Sequence, residues 1–284
     1  MSISNEAKAK RTGKDTVFSD LFHILCYALA LFKAVHPEEE AGEADIKLTT
    51  LKPVLLNEPY NDLCLLVKDR LLIFVEAQST WSLNVLIRLA LYWATTCHDY
   101  INSPQPGKKA MNIYGSKKIN LPKPEFFVIY TGNRQNCPDT ISLAKNFFGD
   151  KGAAIDLRAK VLHKPGKGNI IAEYIRFCHV LDQQTQKLGR TRKAVEEAIR
   201  ICRNEGVLAE YLQTRMKEVI SIMMTLFDQS YAVDAYANER YEAGHAEGQR
   251  DLVKSLLSIG SIPIEDIQKA TGWSQEQINA LKSN

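Results

Sequence analysis

The sequence predicts an α/β fold, with a mixed sheet flanked by helices and then a C-terminal region that is α-helical. Three observations carry this expectation. Helical apolar spacing comes first, two strand-like runs follow within a single hairpin, and no strand signal returns after residue 169.

The first element is a helix, with Phe18, Leu21, Phe22, Leu25, Leu29 and Phe32 at helical spacing and a stop near His36-Pro37. An acidic stretch from Glu38 to Asp45 leads to short β-like runs at Ile46 to Thr50 and Val54 to Leu56. After the turn signal Asn57-Glu58-Pro59, Asn61 to Val67 and Leu71 to Gln78 read as strands separated only by Lys68-Asp69-Arg70, which makes a β-hairpin. Leu83, Leu86, Ile87, Ala90, Leu91, Ala94 and Cys97 return to helical spacing through Tyr100. Glu125 to Tyr130 reads as a buried strand closed by Thr131-Gly132-Asn133, and Ile155 to Leu162 as one more.

Helices are then expected at Ile170 to Gln186, Thr191 to Gln213 and Arg215 to Leu257, with Gly244 and Gly248 marking a hinge in the last. The tail has two short helical runs split by Thr271-Gly272-Trp273, and Ser274-Gln275-Glu276-Gln277 is a capping-box signature. Its spacing resembles a helix-turn-helix, but with only Lys269 and Lys282 nearby, packing or oligomerisation is favoured over DNA reading. The expected regions are therefore a core at 14–164, a helical region at 169–257 and a small tail at 262–281.

With 45% hydrophobic and 24% charged residues, the 284-residue chain has enough apolar material for one sizeable core and a smaller unit. It lacks the roughly 20 consecutive apolar residues of a membrane span. Its start lacks a secretory signal, so the expected location is the cytoplasm, with no membrane partner. Six scattered cysteines without CxxC spacing fit buried reduced thiols better than a zinc site or disulfides. A net charge of +3 does not establish a nucleic-acid partner, but two basic clusters exist. One holds Lys108, Lys109, Lys117, Lys118 and Lys123, and the other holds Arg190, Arg192, Lys193, Arg200 and Arg203. Solvated surface is the simpler account of each taken alone.

The chemistry lies in the hairpin. Side chains alternate along a strand, so Glu76 and Gln78 share a face with Leu72 and Phe74. If Lys68-Asp69-Arg70 is a three-residue turn, Asp62 stands opposite Glu76 with Cβ atoms about 5 Å apart. Like charges at that distance repel, and a divalent cation between them resolves the conflict. A turn of two or four residues would send Asp62 to the other face. Spacing alone leaves two readings open: a shared Mg2+ site, or an Asp62 that closes the preceding turn beside a strand-end Glu76. On the next helix, Asn84, Arg88 and Tyr92 repeat at i, i+4 opposite the Leu86-Ala90 stripe, where Arg88 or Tyr92 could reach a phosphate. A plain surface arginine is the alternative.

Several runs in order carry a family resemblance: Lys14-Asp15-Thr16-Val17-Phe18, Tyr60-Asn61-Asp62-Leu63, Glu76-Ala77-Gln78-Ser79-Thr80-Trp81, Arg88 with Leu91-Tyr92, Ile113-Tyr114-Gly115-Ser116, Leu121-Pro122-Lys123-Pro124-Glu125, and Tyr130-Thr131-Gly132. Together they resemble the recombination-promoting nuclease and transposase family of PD-(D/E)XK enzymes, over roughly Lys14 to Gln229. The resemblance implies a restriction-endonuclease-like core, Mg2+-dependent cleavage of DNA with Mn2+ as a substitute, and a bacterial cytoplasmic origin. It also implies metal ligation by Asp62 and Glu76, with Asp15 completing or aligning the shell. Gln78 stands where the wider superfamily has lysine; a glutamine orients water or phosphate but brings no charge.

The expected activity is therefore a metal-dependent DNA endonuclease tied to recombination or transposition. Asp62, Glu76 and Gln78 are the catalytic residues, and Arg88, Tyr92, Lys108, Lys109, Lys117 and Lys118 hold the DNA. The rival is a DNA-binding or regulatory protein that keeps the fold without efficient cleavage. Self-association would fall to the helical C-terminal region.

Overall fold

The computed structural model of the protein describes residues 13–49, 62–102, 111–149 and 152–282. The expected run Val54 to Leu56, the turn at 57–59, and Lys108 and Lys109 lie outside the described residues. The chain divides into two compact units, one ending at Gln229 and one beginning at Ser230.

The first unit is built on a six-stranded mixed sheet of order β1-β2-β3-β4-β6-β5. The strands are β1 (Ile46–Thr49), β2 (Asp62–Val67), β3 (Leu71–Gln78), β4 (Lys123–Tyr130), β5 (Thr140–Ser142) and β6 (Arg158–Leu162). β1, β2 and β3 are antiparallel neighbours, β3, β4 and β6 run parallel, and β5 pairs antiparallel at the edge. Helices cover both faces. Leu63, Leu65, Val67, Ile73, Val75, Ala77, Phe127 and Ile129 pack against residues of α1 (Gly13–Phe22), α2 (Leu25–Val35) and α5 (Ile170–Leu188). Cys64, Leu72, Phe74, Val128, Tyr130, Ala159 and Val161 form a second core with Val85, Leu86, Leu89 and Tyr92 of α3 (Val85–Asn102). β3 therefore lies between two helical layers, and every residue of it after Leu71 is buried.

The single N-terminal helix expected from the spacing is two. α1 ends at Phe22, and Ile24 takes an extended conformation before α2 begins. That break turns Phe18, Leu21 and Phe22, and then Ala28, Leu31 and Phe32, into the same core. The expected helix from Thr191 to Gln213 is likewise split into α6 (Arg192–Glu205) and α7 (Ala209–Thr214). Gly206 sits at φ +74 between them, and the Leu208 N–H donates to Glu173 Oε2 at 2.8 Å. β5 and the six-residue α4 (Leu143–Phe148) are too short to leave a periodic signal.

α5, α6 and α7 share the core that covers one sheet face, as do Val219, Ile220, Met223 and Leu226 of α8 (Met216–Ser258). Asp20 on α1 accepts from Arg215 at 2.6 and 2.8 Å and from the Tyr211 hydroxyl at 2.8 Å, which fastens α1 to the helical segment. α8 runs unbroken through Gly244 and Gly248, so the expected hinge is helix.

In the second unit, Val253, Ile267 and Ile278 form a small core with α9 (Ile264–Thr271) and α10 (Gln275–Lys282). The capping box reads as expected: Ser274 Oγ accepts from the Gln277 N–H at 3.2 Å, and Gln277 Oε1 accepts from the Ser274 N–H at 2.9 Å. No described helix is long and apolar enough to cross a membrane.

Candidate active site

The hairpin turn sets the site. Lys68 and Asp69 both adopt left-handed backbone, at φ 50 and 51, and the Arg70 N–H donates to the Val67 carbonyl at 3.0 Å. Strand pairing therefore begins at Val67 with Leu71 and, counted outward, reaches Asp62 with Glu76. This is the register the three-residue turn requires, and it puts positions 62 and 76 opposite one another on one face of the sheet. The face is the one covered by α3, and the site lies where β3 and β4 end. Ligands favour the carboxyl ends of parallel strands, because the loops that leave them are free to carry side chains.

Glu76 is only 3% exposed, which follows from its place on the central strand under α3. An isolated carboxylate at that depth would be strongly disfavoured. Arg88, one turn into α3, answers it with an ion pair from Nη2 to Oε1. Gln78, two residues further on the same face, is 8% exposed, and neither Nε2 nor Oε1 has a hydrogen-bond partner among the described residues. An amide buried in this way costs about 1–3 kcal/mol for each unmet group. It presents one donor group and one acceptor to whatever occupies the space beside it.

The loops at the strand ends are locked together. Thr131 N–H donates to the Gln78 carbonyl at 3.0 Å, and the Arg134 N–H donates to the Tyr130 hydroxyl at 3.2 Å. A Cβ at Gly132 would overlap the Ser79 carbonyl oxygen and the Tyr130 ring, so only glycine fits there. Trp81 stands edge-on to Tyr130 with centroids 5.3 Å apart, and the Arg134 guanidinium lies 4.6 Å over the indole.

Some expected residues are brought together and others are not. α3 is rotated from its expected phase: Val85, Leu86, Leu89, Tyr92 and Thr96 are the buried stripe, while Ile87 is 43% exposed. The reason is the Glu76–Arg88 pair, which draws the Arg88–Tyr92 side toward the sheet. Arg88 thus meets Glu76, and Tyr92 is core. Asp15 lies in the first turn of α1, whose later residues cover the opposite face of the sheet. Lys117 and Lys118 are exposed in the loop before β4, next to Tyr114, which is 96% exposed. Lys68 is far along the hairpin from Glu76, and its Nζ donates to the Glu40 carbonyl at 2.5 Å. Arg192 and Arg200 of the second basic cluster pair with Glu196 and Glu197 at 2.8 and 2.7 Å.

Sequence reasoning did not single out Trp81 and Arg134 as functional. Their signal was faint, an aromatic three residues past the Glu-x-Gln run and an arginine just after Thr131-Gly132-Asn133.

Cys64 and Cys202 are buried, and burial pushes each thiol up to about 12, which keeps them protonated and inert as metal ligands. Among the described residues, no group of three or more His, Cys, Asp and Glu is placed to hold a metal. A two-carboxylate site completed by water and phosphate needs no such group. What the backbone register provides is an aspartate position opposite a glutamate position, beside a buried amide whose polar atoms are unmet among the described residues. Comparison with family models, curated proteins and solved structures gives no match for the chain.

Proposed function

We propose that the protein is a Mg2+-dependent DNA endonuclease whose α/β unit is a PD-(D/E)XK core. The observation that carries this reading is the Asp62–Glu76 register, which pairs two acidic positions on one face at the carboxyl end of a central strand. A strand-end charge exposed to water would be unremarkable; a glutamate 3% exposed beside an unsatisfied amide is not. The order of the motifs resembling the recombination-promoting nucleases supports the same reading.

Asp62 and Glu76 would hold the cation. When bound, it would supply neutralisation of the scissile phosphate and acidification of water. Gln78 orients water or a phosphate oxygen through its amide. Arg88, ion-paired with Glu76, brings the positive charge that the superfamily lysine would otherwise bring. Lys117 and Lys118, with Lys108 and Lys109 of the same basic stretch of sequence, hold the DNA backbone by charge, so binding weakens as salt rises.

Plasmid nicking with Mg2+ or Mn2+ tests this. Asp62→Ala and Glu76→Ala should each abolish it, and unchanged cleavage in both would remove the site assignment. Wild-type protein that binds DNA but cuts under no metal would favour the regulatory reading.

A further inference from the structure

A second feature lies past the end of β3, three residues along the chain from Gln78. Beyond Gln78 the chain leaves β3 and reaches Trp81, which forms one wall of a cleft of about 480 Å3, within the size range of small-ligand sites. Arg134 also lines it, and Ser142, Lys145, Asn146 and Arg158 come from β5, α4 and β6. Among the described residues that line the cleft, none is acidic. Asp156 stands just behind, accepting from Arg158 Nε at 2.6 Å and from the Ser142 hydroxyl at 2.7 Å. Even with that charge counted against Arg158, Arg134 and Lys145 leave the cleft cationic.

The arrangement of Trp81 and Arg134 is specific. The Arg134 guanidinium carbon lies 4.6 Å over the indole, and the indole is braced edge-on by Tyr130, which makes a cation–aromatic surface. Nucleobases stack on such surfaces in proteins that bind single strands, because every base has a π face. A base inside a helix has both faces covered by its neighbours and the terminal pair exposes only one, so an aromatic platform of this kind favours nucleotides that are out of the helix. The Ser142 hydroxyl is engaged by Asp156 and the Lys145 N–H, so the Asn146 amide nitrogen and the ammonium of Lys145 are the donors there that suit phosphate and sugar.

We propose that this cleft holds an unpaired nucleotide of the DNA substrate, its base stacked on the Arg134–Trp81 layer and its phosphate met by Lys145 and Arg158. The identity of the strand as DNA rests on the nuclease reading. The preferred substrate is then a duplex that carries a single-stranded tail or gap beside the cut position, with the unpaired segment leaving along Trp81 while the duplex phosphate lies at Glu76 and Gln78.

The test is fluorescence anisotropy with the full-length chain in EDTA, so that binding is read without cleavage. Two labelled probes are compared: a short blunt duplex and the same duplex with a few unpaired thymidines at one end. Wild-type protein should prefer the tailed probe. Trp81→Ala should lower its affinity for that probe by roughly tenfold, the loss of one stacked base, while leaving the blunt duplex nearly unchanged.

Trp81 also packs on Tyr130, so Lys145→Ala, on an exposed side chain, is the second arm. It should reduce the salt dependence of tailed-probe binding by about one ion. No preference for the tail in wild type, or a preference untouched by both variants, would overturn the proposal. A tail preference in a protein that never nicks would remove the nuclease reading and keep the cleft; nicking without tail preference would do the reverse.

Discussion

Arg88→Ala is expected to unfold the protein more readily, because it strands a buried charge. The Glu76 side chain is 4% exposed and that of Arg88 22%. Removing one partner of a buried ion pair costs about 3–5 kcal/mol. Partial exposure of Arg88 admits some water, so the lower end, about 3 kcal/mol, applies. For a unit of this size that corresponds to a fall of roughly 6–12 °C in Tm. Glu76→Gln keeps a hydrogen bond to the guanidinium and should cost less, about 1–2 kcal/mol. The double variant Glu76→Leu with Arg88→Met should recover much of the loss, since no uncompensated charge remains.

The assay is urea unfolding and thermal melting, each with and without Mg2+. A cation at Glu76 takes over the role of the missing guanidinium, so Mg2+ should raise the Tm of Arg88→Ala more than that of wild type. An Arg88→Ala protein that melts within about 1 °C of wild type would refute the reasoning.

Three further outcomes are expected. Gln78→Met exchanges an unsatisfied buried amide for an apolar side chain of similar size, so it should stabilise the fold by about 1–2 kcal/mol while lowering cleavage, read by urea midpoints and plasmid nicking. Gly132→Ala forces a Cβ into the Ser79 carbonyl and the Tyr130 ring, at a cost of about 1–3 kcal/mol, and should disturb the near-UV signal of Trp81. Asp20 gives a pH dependence: burial raises its carboxyl, but hydrogen bonds from Arg215 and Tyr211 outweigh that and hold it below its ordinary value. Its contribution is therefore present above about pH 4 and is lost as pH falls through the depressed folded value. Unfolding free energy measured from neutral pH downward should show a shallower acid decline in Asp20→Asn than in wild type.

The hairpin was legible because two apolar runs are separated only by Lys68-Asp69-Arg70; with both faces of β3 buried, its register hung on the turn closing through all three of those residues. The three-residue turn, conditional in the sequence and present in the structure, sets the Asp62–Glu76 register. The strand after it was legible for a similar reason: a run such as Phe126 to Tyr130 has no polar residue to expose. The phase of α3 was not, because its apolar residues are spread around the helix and Ile87 and Ala94 look as suited to the core as Leu89 and Tyr92. The choice was made by Glu76, a residue on another element, which no periodicity along the helix contains. Breaks at Ile24 and Gly206 were hidden likewise, since apolar spacing continues across them. Trp81 and Arg134 are about fifty residues apart and meet only because β3 and β4 are parallel neighbours, so that the loops leaving them emerge side by side.

On the proposed reading, Asp62 and Glu76 share one divalent cation. Mn2+ titration of the full-length chain followed by electron paramagnetic resonance measures this without reference to cleavage. Wild-type protein should take up Mn2+, and Asp62→Asn and Glu76→Gln should each weaken uptake by about tenfold or more, the equivalent of roughly 1.4 kcal/mol. Mn2+ binding that is the same in wild type and in both variants would contradict the account.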